Sequence, residues 1–223
     1  MTPFLLVLSS PSGGGKSTIA KALLARGDIG YSVSATTRAM RPGERDGVHY
    51  HFLTREEFQR REAAGEFVEW ATYNGNLYGT LRAEVQKVFA QGRHVLLDIE
   101  IEGARQVRAR FANSVHVFVL PPSAEALVGR LAGRQTEQAS EIAARLGVAA
   151  EELAAVSEYD YVVVNDILEE AVDQVASILT AESRHVARQG DLVASLEAMR
   201  REILVRAAEF AAPLPGAERT SRT

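Results

Sequence analysis

Cysteine is absent from this chain of 223 residues, which excludes disulfides and any thiolate-bound metal. The five histidines form no H-x-x-x-H pair on a helix, so a structural zinc is not expected. Lysine is scarce, occurring only at Lys16, Lys21 and Lys87. No apolar run approaches the ~18 residues of a membrane-spanning helix. The first residues carry neither a basic leader nor a cleavage site, so the cytoplasm is the expected location. Positive charge is not in excess either. A formal net charge of -4 gives no general attraction to nucleic acid or to an anionic membrane, and neither is expected as a partner. Any anion must therefore be held by local arginine clusters. What is present, 46% hydrophobic and 24% charged residues, suits a soluble globular domain with a large core, perhaps carrying small inserted subdomains.

The most informative stretch is Ser10-Pro11-Ser12-Gly13-Gly14-Gly15-Lys16-Ser17. It follows the apolar run 4–8 and opens the apolar-periodic segment that starts at Thr18. A buried strand, a glycine-rich turn and a helix start in that order make a P-loop. The glycines let consecutive backbone N–H groups point at a polyphosphate, and the helix N-terminus adds partial positive charge. Lys16 would reach the β- and γ-phosphates, and the Ser17 hydroxyl would be a magnesium ligand. Ser10 stands where the first glycine of the usual pattern belongs. An ordinary flexible Gly/Ser turn is the plainer alternative, but a lysine directly after the glycines is an improbable accident in a chain with so few.

Strand-like apolar runs recur at 4–9, 94–99, 115–120 and 161–164, alternating with helical patterns near 17–26, 81–91, 103–111, 123–131 and 168–188. Such alternation predicts an α/β fold with a parallel sheet covered by helices on both faces, its ligands beyond the carboxyl ends of the strands. Residues 34–80 break the rhythm with short alternating runs and predict an inserted β-rich subdomain. The core domain then comprises 1–33 and 81–210. Residues 132–144 are polar without an apolar face, as a short mobile lid would be. A last amphipathic helix is expected from Leu192 to Phe210, followed by a flexible tail at 211–223.

The substrate is written elsewhere. Arg38 and Arg41 stand three apart among hydroxyl donors, with Tyr50 nine residues on. Two guanidinium forks and a phenol suit an isolated phosphomonoester. Further on come Phe67-Val68-Glu69-Trp70, Asn76-Leu77-Tyr78-Gly79-Thr80 and Asp98-Ile99-Glu100-Ile101-Glu102-Gly103-Ala104. With the P-loop, R-L-x-G-R, E-Y-D-Y and V-x-N-D, these motifs closely resemble those of the guanylate kinase family, in order and spacing, from about residue 4 to about 190.

The resemblance implies a P-loop NTPase fold and a bipartite site. Ser10, Pro11, Ser12, Gly13, Gly14, Gly15, Lys16, Ser17 and Thr18 would hold ATP, with Asn165 near the adenine. Ser34, Arg38, Arg41, Tyr50, Glu69, Tyr78, Thr80, Asp98 and Glu100 fall on the positions that bind GMP, and Lys16, Arg41, Arg134 and Arg145 on those around the transferring phosphoryl group. Guanine presents N1–H and N2–H side by side; the Glu69 carboxylate can accept both, whereas adenine would leave it unpaired. Asp98 ends an apolar strand and could serve magnesium-bound water, the guanine edge or the ribose.

Several positions depart from the family pattern. Glu100 stands where aspartate is common and Glu102 where glutamine is. Ala132 replaces an arginine and Gln135 a glycine. The implied activity is transfer of the γ-phosphoryl group of MgATP to GMP, and by extension dGMP, within purine nucleotide metabolism. A guanylate-kinase-like ribose bisphosphate kinase should lack Glu69 and Tyr-Gly-Thr, and a non-catalytic protein-binding module of this type loses the P-loop lysine. Both features are present here.

Overall fold

The computed structural model describes residues 2–27, 29–73, 75–132 and 139–211. A parallel five-stranded sheet runs in the order β2 (Gly30–Tyr31), β7 (Val95–Asp98), β1 (Leu5–Ser9), β8 (Ser114–Leu120), β9 (Tyr161–Val164). Every residue of the central β1 is buried, because both faces are covered. Leu6 and Leu8 pack with residues of α1 (Lys16–Arg26) and α7 (Leu168–Ser183), while Leu5 and Val7 pack with those of α3 (Arg82–Phe89) and α4 (Ile101–Arg110). Each such leucine contributes roughly 1.5–3 kcal/mol of burial, which is why β1 reads as a continuous apolar run rather than an alternating one. The strand order reverses at β1, with β7 on one side and β8 on the other, and the P-loop leaves its carboxyl end at this switch point.

A second sheet, in the order β4 (His51–Phe52), β3 (Ser34–Thr36), β6 (Asn76–Leu81), β5 (Phe67–Tyr73), has its own core of Ala35, Phe58, Phe67, Leu77 and Leu81. Phe58 belongs to α2 (Arg55–Ala63), a helix absent from the sequence expectation, and stacks on Phe67 at a centroid distance of 4.3 Å. Its start was nonetheless marked. Thr54 caps it by accepting from the Glu57 N–H at 3.1 Å, and Thr-x-x-Glu is a capping-box spacing.

Residues 139–144, at the end of the expected lid, are helical and form the first turns of α6 (Ala139–Leu153). Leu146 and Ala149 of that helix pack with Leu127 and Leu131 of α5 (Ala124–Ala132). Residues 133–138, with Arg134 and Gln135 among them, lie outside the described residues, as do 212–223 of the tail. The last helix, α8 (Gly190–Ala211), forms as expected, but its described side chains are all exposed. Among the described residues no helix is long and apolar enough to cross a membrane.

Candidate nucleotide site

The P-loop enters α1 through Gly15, whose φ of 95° is open to glycine alone at little strain. A Cβ there would also lie 2.2 Å from Asn165 Nδ2. The Ser10 side chain is accommodated against Gly14, where a Cβ would meet Ser10 Cβ at 2.7 Å, and its hydroxyl donates to the Pro11 carbonyl at 3.0 Å. Asn165, at the end of β9, spends its amide on the loop itself, donating to Gly14 O at 3.0 Å. Arg130 on α5 straps the same corner, donating to Asn165 O at 2.7 Å and to Gly14 O at 3.3 Å. From α6, Arg145 donates to Ser12 Oγ at 3.2 Å and Glu152 accepts from the Ser12 N–H at 2.8 Å. A carboxylate thus occupies one of the amides a phosphate would use. Burial raises the pKa of Glu152, the Ser12 N–H opposes this, and Glu100 adds to it.

Lys16 is held in a similar way. Its Nζ donates to Glu100 Oε1 at 2.7 Å and stands 3.9 Å from Asp98 Oδ1. Burial works against the ammonium charge, but Glu100 and Asp98 outweigh it and the pKa is raised. Asp98 Oδ1 is buried with no hydrogen-bond partner. A buried carboxylate oxygen without a hydrogen-bond donor, 3.9 Å from the P-loop lysine, suits a hard, oxygen-seeking cation such as Mg²⁺, which keeps several waters and takes few protein ligands.

On the second sheet, three strands bring three polar residues into one row. Ser34 pairs with Thr80, and Thr80 pairs with Glu69. Directly opposed residues share a face of the sheet, so hydroxyl, hydroxyl and carboxylate stand side by side. Thr80 Oγ1 donates to Glu69 Oε1 at 2.6 Å. Glu69 is 4% exposed, and burial raises its pKa against the pull of Thr80. Its other oxygen is lodged against α4, where a Cβ on Gly103 would lie 2.6 Å from Glu69 Oε2. Only glycine leaves room there.

Tyr78 follows Thr80 two residues back and meets Tyr50 edge-on at 6.0 Å. The Arg38 guanidinium lies 5.5 Å from the Tyr50 ring and forks onto Glu44 with bonds of 3.0 and 2.7 Å. Glu44 also accepts from the Arg41 N–H at 2.7 Å. Arg38, and then the Arg41 amide, hold the Glu44 carboxyl down at about 2. Arg38, Tyr50 and Tyr78 are therefore together, while the Arg41 side chain is exposed at the turn. Tyr31, at the end of β2, joins them: burial, and then Tyr50 and Asp98, raise the pKa of its phenol, which hydrogen-bonds Ser34.

A cleft of about 1380 Å³ is walled by the P-loop, Trp70 to Tyr73 of β5, Glu100, Gln106, Arg145 and Glu152. The family model for guanylate kinase matches residues 3–182. A guanylate kinase of Symbiobacterium thermophilum is 51% identical over 187 residues, 83% of this chain and 89% of its own length. That of Thermotoga maritima is 45% identical over 190 residues, 85% and 92% of the two chains. This chain belongs to the guanylate kinase family. A crystal structure of guanylate kinase from Anaplasma phagocytophilum agrees, with a TM-score of 0.72 at 38% identity over 88% of this chain and 95% of that one.

Within this guanylate kinase fold, Ser10 to Gly13, Gly15 to Thr18, Asn165, Arg145 and Glu100 reach the cleft wall. Ser34, Glu69 and Thr80 form the row on the second sheet, and Arg38, Tyr50 and Tyr78 cluster at its edge. Arg134 lies outside the described residues. Sequence reasoning gave no role to Arg130, Glu152, Glu44, Tyr31 or Gly103. Arg130 and Gly103 nonetheless stood inside the quoted motifs, and a glycine in the first turn of an apolar-periodic helix needs a reason.

Proposed function

We infer that this protein is an ATP:GMP phosphotransferase that converts MgATP and GMP to ADP and GDP, accepts dGMP, and works in the cytoplasm, where these nucleotides are. The observation that carries the reading is the Ser34–Thr80–Glu69 row on the sheet whose strand β5 walls, through Trp70 to Tyr73, the same cleft as the P-loop. A buried carboxylate flanked by hydroxyls complements the paired N–H donors of guanine and rejects the lone pair at adenine N1. Ser34 to Thr80 would make up the GMP subdomain, with Arg38, Arg41, Tyr50 and Tyr78 on the 5′-phosphate, Asp98 and Glu100 between the two substrates, and the P-loop and Asn165 on ATP.

No protein nucleophile is needed, because a GMP phosphate oxygen attacks the γ-phosphorus directly and ADP leaves. The protein's part is positioning and charge neutralisation. Lys16, Arg41, Arg134 and Arg145 bring two polyanions together and offset the charge that builds between them. Ser17, and Asp98 through water, would hold Mg²⁺, which supplies further neutralisation of the phosphate oxygens. Glu44, Glu100 and Glu152 must all yield their partners to phosphate, so each substrate replaces an internal carboxylate rather than filling a bare positive hole. Closure of α6 and of the second sheet over the cleft would exclude water and suppress ATP hydrolysis.

Phosphorus NMR of a reaction containing MgATP and GMP tests this reading. GDP and ADP should appear in equal amounts. Phosphorylation of ribose bisphosphate in place of GMP would contradict it.

A further inference from the structure

The lysine that should serve ATP is held by a carboxylate at the start of the helix that also backs Glu69. Lys16 Nζ and Glu100 Oε1 are 2.7 Å apart, with the lysine side chain only 14% exposed. Glu100 is the N-cap residue of α4, one turn ahead of Gly103, against which Glu69 Oε2 is lodged. The start of this one helix therefore touches both the P-loop and the second sheet: its cap reaches the P-loop lysine, and its first turn backs the Glu69 carboxylate. A triphosphate arriving at Lys16 meets the negative charge of Glu100 at hydrogen-bonding distance from the ammonium it needs.

We propose that Glu100 is exchanged between the two subsites, holding Lys16 while the GMP subsite is empty and turning to GMP when it is filled. GMP then removes a like charge from the triphosphate seat, and the two substrates bind with positive coupling. This rests on the reading of function above, which places GMP beside Glu69. The length of the side chain matters. The Glu100 backbone is fixed as the cap of α4, and an aspartate there would be shorter by one carbon–carbon bond of about 1.5 Å. Its carboxylate would fall out of hydrogen-bond reach of Lys16 while remaining on the cleft wall. Asp98 at 3.9 Å is an imperfect substitute partner. The exchange is thus a property of glutamate at this position.

Calorimetric titration with the magnesium complex of the β,γ-imido analogue of ATP, with and without saturating GMP, tests the exchange in the parent, Glu100→Asp and Glu100→Gln. The analogue should bind the parent about fivefold tighter or more when GMP is present, and by linkage GMP should gain the same factor from the analogue. In both variants the ratio should fall toward one. It should do so because the analogue binds the GMP-free variant several-fold tighter than the GMP-free parent. A general structural defect would instead weaken the analogue in both states. A ratio unchanged in the variants, or analogue binding no tighter in their GMP-free forms, would overturn the exchange while leaving the phosphotransferase reading intact. A parent that binds the analogue but not GMP would overturn that reading, and the exchange with it.

Discussion

Thr80 donates its hydroxyl proton to Glu69 across 2.6 Å, at the one place where β5 and β6 present a carboxylate that is almost fully buried. A carboxylate kept there with a single side-chain hydroxyl for company has acceptor capacity to spare. Replacing Glu69 with Gln should remove at least one charge-assisted bond to guanine, worth ~1.5–3 kcal/mol, and raise the GMP KM by about one to two powers of ten. Steady-state kinetics with GMP and AMP would check this. An unchanged GMP/AMP preference would rule out Glu69 as the base reader.

Gly103 gives a test that leaves the site's functional groups untouched. A methyl group there would lie 2.6 Å from Glu69 Oε2, so Gly103→Ala must displace the carboxylate. The GMP KM should rise about tenfold, equivalent to roughly 1.4 kcal/mol, with little change in the ATP KM. Equal effects on both substrates would show that the contact supports α4 in general.

Arg145 touches Ser12 of the P-loop from α6. If its main partner during turnover is the transferring phosphoryl group, Arg145→Ala should lower kcat by ~10²-fold or more and change the nucleotide KM values less. A variant with normal kcat would reduce Arg145 to a structural link between helix and loop.

His116 sits inside β8, 1% exposed, with Nε2 2.9 Å from Ser114 Oγ. Burial, and then the Arg108 charge, depress its pKa from 6.5 to about 4. Between those values the unfolded chain binds a proton that the folded protein refuses, so stability falls as pH drops through that window, by up to about 3 kcal/mol. His94, also depressed by burial and then by Arg188, acts in the same direction. Urea midpoints measured from pH 7 to pH 4 should decline in the parent and decline less in His116→Gln. A parent profile flat over that range would contradict the burial argument.

What the sequence discloses is mostly local chemistry. The P-loop is legible because three glycines, Lys16 and Ser17 are consecutive and each has a physical task. β1, β7 and β8 are legible because burial on both faces leaves unbroken apolar runs. α2 had a readable start at Thr54 and Glu57, but its single buried side chain, Phe58, gives no helical period to follow. α6 escapes because its apolar residues are mostly small alanines, which mark no clear face, and it follows directly on a polar stretch that resembles a loop. β2 is two residues long, too short for any period. The ties that shape the site are illegible for a different reason. Glu152 is 140 residues from Ser12 and Glu100 is 84 from Lys16. Nothing in either neighbourhood announces a partner so remote.

The most direct measurement is the ratio of kcat/KM for GMP to that for AMP in the parent, with MgATP as donor, set beside calorimetric GMP binding to Lys16→Met. The account predicts a preference for GMP of roughly 10⁴-fold, the discrimination open to a site whose buried polar groups go unpaired with the wrong base. It also predicts that Lys16→Met loses transfer while still binding GMP, with affinity equal to the parent's or somewhat greater, because Glu100 no longer has the lysine as a partner. Comparable turnover of AMP, or loss of GMP binding in step with loss of transfer in Lys16→Met, would contradict the account.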